Sequence, residues 1–187
     1  MEENKILKYI DEVLHNMPTD WLKLTTHRLD IYEESLAKTQ FIEQFEQLFE
    51  ANNSDKSALE KLPTAFDYIR LGHPLSSVLE WAIARLYNLK SENVISFQSK
   101  TVPVLAVLRK NLLDNKLTRV YYTSELPEAF DAEVIKSVYG YKFELHQVEK
   151  AEDIPAFDGS NVFVTEDTAI GQIKLAPHID FYISNHP

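Results

Sequence analysis

The chain has 187 residues, 44% hydrophobic and 26% charged, and its 19 Lys and Arg against 29 Asp and Glu leave a formal charge of −10. That length suits about one domain, the composition is that of a folded globular chain, and the acidic balance repels phosphate backbones, excluding nucleic acid as an expected partner. No cysteine means no disulfide, thiolate nucleophile or cysteine-ligated metal, and four glycines leave few sites for phosphate-cradling loops.

Ile6, Leu7, Ile10, Val13, Leu14 and Met17 share one helical face and predict a helix over 4–16, ended by Pro18. A second helix is expected over 30–50, where Phe41, Ile42, Phe45, Leu48 and Phe49 form an aromatic stripe that reads as core or as a docking face. The polar run 51–57 breaks the periodicity and is the expected linker between a helical N-terminal extension, 1–57, and an α/β domain, 58–187. Pro74 suits the first turn of a helix carrying Leu75, Val78, Leu79, Ala82, Ile83 and Leu86. Asn93 to Phe97 reads as a strand, Val102 to Leu113 as a helix, and Arg119 to Thr123 as a strand. Pro127 to Tyr139 is the next expected helix, capped by Gly140. Three strands follow: Tyr141 to Val148, with clean alternation, then Asn161 to Thr165 and Ile179 to Ser184. Such alternation predicts a three-layer α/β arrangement, a mainly parallel sheet with helices on both faces, behind the helical extension. The acidic N-terminus has no secretory pattern and no run nears the roughly 18 apolar residues of a membrane span. A cytoplasmic chain without a membrane partner is the expectation.

Three stretches resemble one family: Tyr68-Ile-Arg-Leu-Gly-His-Pro74, Leu79-Glu-Trp-Ala-Ile-Ala-Arg-Leu-Tyr87 and Glu92-Asn-Val-Ile-Ser-Phe-Gln-Ser99. Together they look like the large domain of fold-type-I pyridoxal-phosphate enzymes, the aminotransferases and cystathionine lyases. The resemblance implies an aminotransferase-like sheet and a phosphate-binding turn at Gln98 to Thr101, making Ser99, Lys100 and Thr101 candidate anion groups through backbone N–H, hydroxyls and one ammonium. Plain helix capping by Ser99 or Thr101 is the competing reading. Glu166 or Asp167 would be the acid that pairs with the pyridine nitrogen, although an acidic pair at a strand end serves equally as a cap or a solvated turn. The turn lacks the family's small residue. Its Schiff-base lysine is also missing, because Lys174, the only lysine after Lys150, precedes the last strand instead of following it. The chain therefore looks like a shortened, degenerate relative, with no cofactor expected and pyridoxal phosphate as the alternative.

His15, His27, His73, His146, His178 and His186 form no metal-binding motif, and no nucleophile elbow, Walker loop or dinucleotide fingerprint is present. Arg70 is expected to pair with a surface carboxylate such as Asp67. Two functions follow. One is a non-catalytic binding or interaction module that associates with itself or another protein, with the aromatic helix at 41–49 as its docking face. The other is a pyridoxal-phosphate-dependent transferase or lyase, or another anion-binding enzyme, completed by a partner chain.

Overall fold

The computed structural model describes residues 2–23, 39–63, 73–127, 129–166 and 173–185. They divide into two compact units, Met1–Ser96 and Phe97–Pro187. Expectations that fall on 30–38, on Tyr68 to Gly72 or on Asp167 lie outside the described residues.

The first unit is helical: α1 (Glu2–Asn16), α2 (Thr39–Glu50), a single turn α3 (Lys56–Leu59) and α4 (Pro74–Leu86). Glu2 and Glu3 open α1 and His15 closes it, charges that suit the helix dipole. The i, i+4 spacing of Phe41, Phe45 and Phe49 places them on one face of α2, and all three are buried. Phe45 and Phe49 meet Tyr9 of α1 and Trp81 of α4 edge to face, with ring centroids 5.0–5.8 Å apart. Of the two readings of the aromatic stripe, the core reading holds, and the stripe is not available for docking.

The run 51–57 is not a free linker. Tyr9 Oη donates to Asn53 O at 3.0 Å, Asn16 Nδ2 to Ser54 O at 3.0 Å, and Ser54 Oγ to Glu12 at 3.0 Å, so the turn is clamped against α1. Helix α4 shares a core with α1 and α2, and the compact units part at 96/97. The strand expected at Asn93 to Phe97 is instead a 3-10 turn, Ser91–Asn93, followed by irregular chain. The buried Glu80 carboxylate accepts from both Ser96 N at 2.7 Å and Ser96 Oγ at 2.9 Å. A backbone donor satisfied by a side chain is lost to a sheet ladder.

The second unit is α/β. Its elements are α5 (Val102–Leu113), β1 (Thr118–Tyr122), α6 (Ala132–Tyr139), β2 (Phe143–Gln147), β3 (Ser160–Thr165) and β4 (Phe181–Ser184). Helix α6 starts later than the sequence suggests, because Asp131 caps it, its carboxylate accepting from the N–H groups of Glu133 and Val134 at 3.0 Å. It ends at Gly140, which takes the left-handed conformation at φ 68°. Nothing lies within 4 Å of where a Cβ would sit at Gly140. Gly140→Ala should therefore cost only backbone strain, about 1–2 kcal/mol, read as a lowered urea midpoint of this unit with native contacts retained.

The strands form one all-parallel sheet in the order β2-β1-β3-β4. One face, with Val120, Phe143, Val162, Val164 and Ile183, packs against Val104 and Leu108 of α5 and Ile135 of α6. On the other, Tyr121 and Phe163 pack with Ile154, Ile179 and Ala151, the last from the 3-10 turn Ala151–Asp153. No described helix is long and apolar enough to cross a membrane.

Candidate functional site

The anion groups expected from the sequence lie at one end of this sheet. Asn111 Nδ2 donates to Thr118 Oγ1 at 3.0 Å, and Lys110 Nζ lies 5.8 Å from the centroid of the Phe181 ring, so the C-terminal half of α5 sits at the starts of β1 and β4. The N-terminus of α5, with Ser99, Lys100 and Thr101, therefore points toward the carboxyl end, where β3 runs into Glu166 and β4 into Asn185. Ligands of open parallel sheets bind at that end.

The donors there are already committed. Ser99 Oγ accepts from the N–H groups of Thr101 and Val102, both at 3.3 Å, and Pro103 brings no N–H to the first turn. Ser99 is thus a cap. Lys100 and Glu166 are exposed, and Asp167 lies outside the described residues. The first turn of α5 offers few open N–H groups, and the Lys174 carbonyl accepts from Tyr182 Oη at 3.0 Å on the sheet face opposite α5. One group the sequence reading missed is Asn185, buried at 5% exposure, whose Nδ2 finds no partner among the described residues. No three His, Asp or Glu gather as metal ligands among the described residues. Two open depressions of about 340 and 320 Å³ lie in the first unit, bordered mainly by solvated polar side chains such as Gln44, Gln47, Glu2 and Glu3.

The other candidate is the β2 edge. Strand β2 ends the sheet order, and among the described residues its one ladder runs to β1. Val148 N donates to Tyr122 O at 3.0 Å, which with the register Tyr122↔Gln147 fixes the ladder. Glu144, His146 and Val148 direct their backbone groups to β1, whereas Phe143, Leu145 and Gln147 turn theirs outward. Native edges are usually blunted by proline, lysine or a bulge; residues 143–147 contain neither proline nor lysine. Helix α6, which reaches β2 through Lys136, its Nζ 5.3 Å from the centroid of the Phe143 ring, exposes Val134, Val138 and Tyr139, at 49%, 68% and 55%.

On the β2 face away from the helices, Glu144 accepts from Arg119 Nε at 2.8 Å and contacts His146 Nε2 at 3.1 Å. His146 stacks on the buried Tyr121 at 5.2 Å, and the Arg119 guanidinium lies 4.0 Å from the centroid of the Phe157 ring. The hydrogen bonds from His146 and Arg119 hold the Glu144 carboxyl below its ordinary range. Alternation in 141–148 was legible beforehand; that the strand lies at an edge depends on topology, which periodicity does not carry.

Comparison with protein-family profiles, characterised proteins and solved structures finds no match to the chain.

Proposed function

We propose that the chain is a binding module, not a catalyst, and that its α/β unit docks other polypeptide at the β2 edge and the adjoining face of α6. The observation that carries this reading is the outward row of backbone groups at Phe143, Leu145 and Gln147; α6 also exposes Val134 and Val138. An added strand would take main-chain hydrogen bonds from that row and side-chain contacts from α6.

A fluorescent peptide with the sequence Tyr141 to Val148 tests it by anisotropy. Binding should saturate and should fail with Leu145→Pro, which removes an outward donor without breaking the ladder to β1. No saturable binding, or binding indifferent to Leu145→Pro, would overturn the reading.

A second reading, a small anion-bearing ligand at the carboxyl end of the sheet, is favoured by the unpartnered Asn185 Nδ2. It leaves room for the enzyme completed by a partner chain, with Lys100 as the cation at the start of α5. The N–H groups of Thr101 and Val102 are committed to Ser99 Oγ and Pro103 has none, which places it second.

A further inference from the structure

The docking reading does not say which polypeptide binds, and the side chains of β2 discriminate. Building on that reading, we propose that the partner is a second copy of this chain, paired antiparallel through β2 about a two-fold axis at Leu145, so that two four-stranded sheets become one.

The ladder fixes what a two-fold at this edge can look like. Only residues that turn their backbone groups outward can exchange hydrogen bonds across it, and these are Phe143, Leu145 and Gln147. With the axis at Leu145, that residue faces its own copy as a hydrogen-bonded pair, and Phe143 faces Gln147 of the second chain. Glu144 then stands opposite His146 of the second chain in a non-hydrogen-bonded pair, the position where facing side chains come closest. The pairing occurs twice, each time joining a carboxylate to an imidazole. Within one chain, Glu144 already contacts Arg119 and His146 at 2.8 and 3.1 Å, so the two clusters would merge into one alternating network of Arg119, Glu144 and His146. A two-fold at Glu144 or at His146 would also use outward backbone groups, but it would set each of these side chains opposite its own copy and lose the carboxylate–imidazole pairing. Residues 143–147 are thus self-complementary in hydrogen-bond register and in charge. Helix α6, whose Lys136 Nζ lies 5.3 Å from the centroid of the Phe143 ring, exposes Val134, Val138 and Tyr139, apolar area beyond what five paired residues bury. Obligate interfaces combine these features, and strand pairing alone falls short of the roughly 1,200 Å² of a stable one.

Light scattering on the full chain from about ten to a few hundred micromolar reads the state directly, with a dimer at twice the 21.6 kDa chain mass expected at the upper end. His146→Glu sets like charges opposite each other in both pairs and should weaken the dimer at least about tenfold. The chain has no cysteine, so single introduced thiols report cleanly. Leu145→Cys places two Cα atoms about 5.5 Å apart across the axis, within disulfide reach. It should cross-link two chains on mild oxidation, whereas Leu113→Cys, at an exposed helix end, should not. A monomer throughout, or a dimer insensitive to His146→Glu and cross-linked equally from both positions, overturns the proposal. If the chain is monomeric yet still binds the β2 peptide, the partner is wrong and the docking reading stands; if the peptide fails too, both fall.

Discussion

Trp81→Ala is expected to cost the first unit about 3–5 kcal/mol, the range for deleting a buried aromatic ring. Trp81 is 1% exposed and touches Tyr9, Phe45 and Phe49 with ring centroids 6.4, 5.1 and 5.0 Å away, so its removal opens a hole at the meeting point of α1, α2 and α4. Its indole N–H also donates to Glu46, which keeps Arg85 as a partner once the indole is gone. The lost packing therefore dominates the lost hydrogen bond, worth about 0.5–1.5 kcal/mol net. Against a domain stability of about 5–15 kcal/mol, such a loss is a large share. Trp21, in the same cluster and stacked edge-on to Phe41 at 5.6 Å, remains as the fluorescent reporter of urea unfolding. A shift below about 0.5 kcal/mol, the size of an ordinary surface substitution, would show that these rings are not the core.

Leu108→Ala is expected to destabilise the second unit by about 2–5 kcal/mol. Leu108 is 2% exposed and belongs to the cluster that joins α5 to Val120, Val162, Val164 and Ile183. Leu113, in the last turn of the same helix, is 72% exposed, and its replacement by alanine should stay within about 0.5 kcal/mol. Urea unfolding followed by amide signals of β1 and β3 separates the two. Equal effects would mean that α5 is not seated on the sheet by the face described.

Local chemistry was readable from the residues. The period of Ile6, Ile10 and Val13 located α1, Gly140 marked the end of α6 although its start at Asp131 was not foreseen, and the runs expected as strands at 119–123, 141–148, 161–165 and 179–184 gave strands at 118–122, 143–147, 160–165 and 181–184. Partnership was not readable. An apolar face on 74–86 requires a cover but does not name it, and α4 joined α1 and α2 rather than the sheet. Asn93 to Phe97 has strand-forming composition, yet Glu80, sixteen positions earlier, takes the Ser96 N–H. The polar run 51–57 looked like a linker because clamps from Tyr9, Glu12 and Asn16 act across more than thirty positions. At the site, Ser99 was legible as a cap, whereas Asn185 and the outward backbone of Leu145 follow from sheet order alone.

Amide hydrogen exchange in β2 separates a docking edge from an inert one, because the strand carries its own control. The N–H groups of Glu144 and His146 belong to the ladder with β1 and should be protected at every concentration. Those of Leu145 and Gln147 point outward, and they should exchange fast in dilute solution and become protected as the chain is concentrated or as the Tyr141 to Val148 peptide is added. Fast exchange at Leu145 and Gln147 under every condition would contradict the docking edge.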